Sequence, residues 1–98
     1  MRMLLKVQIP AEFGSAAAKG GAMRETIRNF METAKPEAVY FALDEGKRTM
    51  FAVVDMADSS DLPRIGEPLF ANLGANLQAT PCMNADELRK GLEAAGIA

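Results

Sequence analysis

The chemistry open to this chain is bounded first by what it lacks. Histidine is absent and Cys82 is the single cysteine among the 98 residues. That removes the commonest general base, the commonest zinc ligand and any intrachain disulfide. Cys82, with no histidine to serve as its base, reads as a small half-buried thiol rather than a nucleophile. What remains is a polar set on strand-like segments: Lys6, Gln8, Tyr40, Gln78 and Thr80, with Arg48 joining them if strand register allows. Such groups converging in an otherwise apolar enclosure make a small-molecule site. The competing reading puts Lys6 and Gln8 at a wet strand end and Tyr40 in the core with its hydroxyl satisfied.

Other combinations carry less. Asp55 and Glu67 have the types of an acid–base pair, but a strand-end aspartate beside a turn and a surface glutamate on a helix account for both. Lys19-Gly20-Gly21 lacks the flanking pattern of a phosphate loop and marks a break before a helix. Arg24, Arg28 and Glu32 form a solvated helix face, with Arg28 and Glu32 spaced as an i,i+4 pair. No catalytic residue is assigned, no metal site is assigned and no cofactor is implied.

These residues need elements to position them. Met3, Leu5, Val7 and Ile9 alternate with Leu4, Lys6 and Gln8, the period of a strand, and Pro10 closes it. Ala11–Gly14 is expected as a connector, followed by a short turn through Ala16–Lys19. From Ala22 to Lys35, Met23, Ile27, Phe30, Met31 and Ala34 recur at helical spacing. Pro36–Met56 is the strongest β signal: an outgoing strand through Val39, Phe41 and Leu43, turn chemistry at Asp44-Glu45-Gly46, and a return strand over Thr49–Met56. A second helix carries Leu62, Ile65, Leu69 and Phe70, with Pro68 expected to bend or shorten it and Ala71–Gly74 to turn the chain. Asn76–Thr80 alternates as a last strand. Asn84-Ala85-Asp86-Glu87 opens a terminal helix with a capping box, and Gly96 stands at its end.

The order β-α-β-β-α-β followed by a short C-terminal helix predicts an α+β, ferredoxin-like plait. Four antiparallel strands form its sheet and two helices cover one face. A length of 98 residues suits one domain over 1–98. The return strand is apolar on both faces: Phe51 and Val53 on one, Met50, Ala52 and Val54 on the other. A strand of that kind must be covered on both sides, and the helices can cover only one. A second copy is the expected cover, giving a homodimer through the open sheet face.

Composition narrows the partners. A net charge of −2, with no basic block, argues against nucleic acid and anionic membranes. Arg48–Asp55 keeps only the basic start and one aromatic of the RNA-recognition pattern, and a metal-carrying plait would need paired cysteines or histidines. The first ten residues are too short and too polar at Lys6 and Gln8 for a signal peptide or a membrane span, so a cytoplasmic location is expected.

An open apolar sheet face is the requirement of the dimeric α+β barrel, and the chain resembles that superfamily, which includes muconolactone isomerases and cofactor-free monooxygenases. At Pro36-Glu37-Ala38-Val39-Tyr40-Phe41, Gly46-Lys47-Arg48, Val54-Asp55, Glu67-Pro68-Leu69-Phe70 and Pro81-Cys82-Met83-Asn84-Ala85-Asp86-Glu87-Leu88 it resembles a family of small bacterial proteins sharing PEAxYF, GxR, EPxF and PxMxxxDL signatures. The resemblance implies the barrel and the dimer and no particular activity. The expected function is binding of a small organic molecule within the barrel through Lys6, Gln8, Tyr40, Arg48 and Gln78. The alternative is a cofactor-independent oxygenase or isomerase, with Tyr40 and Arg48 polarising an aromatic or quinone-like substrate. The histidine–aspartate pair of small characterised relatives, and the tryptophan of some quinone-forming oxygenases, have no counterpart here.

Overall fold

The computed structural model describes residues 1–97. In chain order the elements are β1 (Arg2–Ile9), α1 (Ala11–Gly20), α2 (Ala22–Ala34), β2 (Ala38–Asp44), β3 (Lys47–Asp55), α3 (Asp61–Leu73), β4 (Asn76–Pro81) and α4 (Ala85–Ala94). The strands form one antiparallel sheet in the order β2-β3-β1-β4. That is the strand order of a ferredoxin-like plait, with the crossovers made by α1–α2 and by α3.

The alternation in β1 decides which face is core. Met3, Leu5, Val7 and Ile9 are buried together with Met50, Ala52 and Val54 of β3, against Phe30 of α2 and Ile65, Leu69 and Leu73 of α3. Each such side chain contributes roughly 1.5–3 kcal/mol on burial. The opposite face of the same strands meets a helix among the described residues at its Arg2 end, where Arg2 pairs with Glu87 of α4.

Register follows from the hairpin. Asp44 pairs with Lys47, so Glu45 and Gly46 are a two-residue loop, and both have positive φ (55° and 73°). This is the primed turn whose twist matches that of the strands. Glycine takes the conformation freely; Glu45 holds it against steric cost.

Three expectations are corrected. Ala11–Gly14 is not a connector but the first turn of α1, which starts directly after Pro10 and runs for 10 residues. Its alanine-rich sequence has high helix propensity and needs no apolar stripe to form. Gly21, at φ 81°, ends α1 and starts α2, which is the break expected at the glycine pair. Ala71–Leu73 is likewise helical: α3 continues through Pro68 to Gly74, whose αL conformation caps it. Pro68 removes one helical hydrogen bond, yet Leu69 and Leu73 beyond it are both buried, and that packing carries the helix on. Arg28, finally, pairs with Glu25 at 3.7 Å rather than with Glu32.

The C-terminal helix stands apart. α4 opens with a complete capping box: the Asn84 side chain accepts from the Glu87 N–H, and the Glu87 carboxylate accepts from the Asn84 N–H. It buries none of its residues and is tied to the sheet by an ion pair between Arg2 and Glu87. The radius of gyration is 15.4 Å and the long axis 53 Å, against about 13 Å expected for the radius of a compact chain of this length.

Candidate functional site

The strand pairings lay the predicted polar residues out in rows. Tyr40 pairs with Phe51, Phe51 with Lys6 and Lys6 with Gln78, so these four form one line across all four strands on the face away from the helices. Gln8, paired with Thr49 and Asn76, begins the neighbouring row, and Leu4, paired with Val53 and Thr80, begins the one on the other side. Lys6, Gln8, Tyr40, Gln78 and Thr80 therefore share a face. Arg48 does not. It pairs with Ile9 and Leu43, which places it on the helix side of the sheet.

Two of the open-face groups are engaged with their neighbours. The Lys6 ammonium forms an ion pair with Asp44, and Glu45 lies 3.8 Å away. The hydrogen bond to Asp44 raises the Lys6 pKa above the ordinary lysine range, against the opposing effect of desolvation. The Gln8 amide donates to the Asp44 carbonyl oxygen at 3.2 Å and to the Thr49 hydroxyl at 3.4 Å. Tyr40, by contrast, is 72% exposed. Beside these groups the face is apolar, with Leu4, Phe51 and Val53 incompletely covered.

The Asp55 carboxylate takes the Met1 ammonium at 2.8 Å, and that contact holds it below the ordinary aspartate range. Glu67 is exposed on α3. Cys82 is half-buried, and its backbone N–H donates to the Arg2 carbonyl, which extends the sheet by one bond past β4.

A cavity lies on the other side of the sheet. A cleft of about 370 Å³ opens between the β2–β3 hairpin and the helices. Its floor is Val7 and Ile9 of β1 with Met50 of β3; Leu69 and Leu73 of α3 and Met23 and Ile27 of α2 form the roof. Phe41 and Leu43 of β2 form the open side and are 58% and 75% exposed, although they point toward the helix layer.

The side chains that α1 buries are small, and its large apolar residue, Phe13, lies against Gly74 at the end of α3. The residues α1 buries are Gly14 and Ala17, and the residues lining the cleft come from β1, β2, β3, α2 and α3. Among the described residues, the one charged residue lining the cleft is Arg48. Its Nη1 donates a long hydrogen bond to the Ala11 carbonyl at 3.5 Å. Gly14 lies against it: a Cβ there would come within 2.9 Å of Nη1 and 3.1 Å of Ile9.

Sequence reasoning missed this cleft. The signal was the contrast between an alanine- and glycine-rich α1 and the bulky, alternating Phe41 and Leu43 that it would have had to cover.

The chain matches no family model and no curated protein. No helix among the described residues is long and apolar enough to cross a membrane, and no cluster of three histidine, cysteine, aspartate or glutamate side chains is positioned to hold a metal ion among them.

Proposed function

We propose that this protein binds a small organic molecule in the cleft between the β2–β3 hairpin and the helices, and that it acts as a homodimer. The observation that carries the binding function is the cleft itself. At about 370 Å³ it falls within the range of ligand pockets, roughly 300–1,000 Å³. Its walls are almost wholly apolar, and methionines 23 and 50 give it side chains that adapt to a guest. This moves the ligand from the open face to the helix side, because Lys6 and Gln8 already have partners within the chain.

The dimer rests on the open face, where Leu4, Phe51 and Val53 are incompletely covered. Sheet-to-sheet packing of two copies would cover them and produce the α+β barrel that the sequence resemblance implies. An oxygenase or isomerase built on Tyr40 and Arg48 is not favoured. The two residues lie on opposite faces of one sheet and cannot act on one substrate within a protomer.

The binding reading is tested by NMR titration of the full chain with a panel of small apolar molecules. Shifts should concentrate at Ile9, Ile27, Met50, Leu69 and Leu73, and Ile27→Trp, which fills the cleft, should abolish them. Shifts confined to the open face, or none for any member of the panel, would overturn it.

A further inference from the structure

We propose that the ligand of the cleft is an organic monoanion, a carboxylate on an aliphatic or aromatic body, whose charged head is read by Arg48. This rests on the cleft being a ligand site and adds the chemistry of what fills it.

Among the described residues three basic ones are half-buried: Arg2, Lys6 and Arg48. Arg2 is held by both Glu37 and Glu87, and Lys6 by both Asp44 and Glu45. Arg48 has no carboxylate partner among the described residues, and its one hydrogen bond, to Ala11, is at the limit of length. With only that long bond, the guanidinium keeps most of its five N–H donors for a guest, in a fork that fits a carboxylate bidentately. Arg48 lines the apolar cleft, and the fork at the end of its side chain is therefore within one side chain's length of space for a hydrocarbon body. Gly14 contributes by absence, since a Cβ there would crowd the guanidinium tip at 2.9 Å. The site asks for one negative charge at the rim and an uncharged apolar remainder. A dianion or a sugar would leave polar groups facing Leu69, Leu73 and Ile27, where no partner exists.

The test is calorimetric titration of the full-length protein with decanoate and with 1-decanol, both below the concentrations at which they aggregate. Decanoate should bind tighter by about tenfold or more, the effect of hydrogen bonds to a charged group. Arg48→Met, which keeps the length and removes the charge, should erase the difference while 1-decanol binds as before. Gly14→Ala, which displaces the guanidinium and leaves the charge in place, should weaken decanoate alone, and it keeps the test decisive if the Arg48 variant does not fold. Equal binding of the two probes to the unaltered protein would overturn the carboxylate assignment and leave the cleft as a binding site. Failure of both probes to bind would overturn the two together. A decanoate preference that survives both substitutions would place the anion contact away from Arg48 and also refute the assignment.

Discussion

Gly14 of α1 and Arg48 of β3 occupy adjoining space so closely that a methyl group on Gly14 would stand 2.9 Å from Arg48 Nη1 and 3.3 Å from its Cδ. The guanidinium sits where it does because residue 14 has no side chain. For stability, Gly14→Ala brings opposing effects. Alanine favours the helix by about 1 kcal/mol, and the 3.1 Å approach to Ile9 offsets it. Thermal denaturation of this variant should therefore differ from the unaltered protein by no more than about 1 kcal/mol. A much larger loss would mean that the backbone of α1, and not only the arginine tip, has to move.

Glu45 holds φ 55° in the hairpin loop, a conformation that asparagine tolerates better than glutamate. Glu45→Asn should raise stability by roughly 0.5–1 kcal/mol, read as a higher urea midpoint at unchanged slope. The 3.8 Å contact to Lys6 that is lost involves an exposed carboxylate and counts for little.

Leu5 is fully buried at the centre of the sheet, between Ala52 and Ala79 on the neighbouring strands. Small neighbours on both sides leave little that can collapse into a vacated space. Leu5→Ala should cost about 3–5 kcal/mol, measured by equilibrium denaturation. A loss below about 1 kcal/mol would show that this centre repacks freely.

Phe51 stands in the middle of the open face, between Tyr40 and Lys6. If two copies pack through that face, Phe51→Glu places a charge in each half of the contact. Sedimentation at micromolar concentration should give a dimer for the unaltered chain and a monomer for the variant. A monomer for both removes the barrel.

The capping carboxylate of Glu87 sets a pH dependence. Its hydrogen bond from the Asn84 N–H lowers its pKa first, and the Arg2 side chain lowers it further against desolvation. A carboxylate with a depressed pKa in the folded state stabilises that state fully above its unfolded pKa, about 4.3. The contribution is lost as pH falls through the lower folded value. The Asn84 and Glu87 amide signals should therefore move toward random-coil positions on acidification into that range. They should stay unchanged between neutral pH and about pH 6. Glu87→Ala should remove the transition.

Much of this fold was legible because the strands alternate cleanly. Met3, Leu5, Val7 and Ile9 define the core side of β1, and Asn84 with Glu87 defines the start of α4. The position of Arg48 was open because its face depends on loop length. A turn read as Asp44-Glu45-Gly46 leaves the parity of the return strand unset, whereas the two-residue loop pairs Leu43 with Arg48 and sends both to the helix side. The first turn of α1 was missed because Ala11, Glu12 and Gly14 carry no periodic apolar signal. The cleft was missed because alternation reports which face a residue takes and not whether a helix of sufficient bulk lies over it. Phe41 and Leu43 take the core face and remain exposed.

The isolation of α4 has a thermodynamic consequence for the whole chain. A ten-residue helix that buries nothing is near the lower limit of helices that persist in water, whatever the quality of its cap. Its ordering is coupled to the sheet through little more than Arg2. Within a single protomer, heating should produce two events: a broad helix–coil fade of α4, and a sharp cooperative melt of the sheet with α2 and α3. A far-ultraviolet signal sums both, and the methyl resonances of a fully buried sheet residue, Leu5, follow only the second. The two traces should not superimpose, and no single melting temperature describes the protomer.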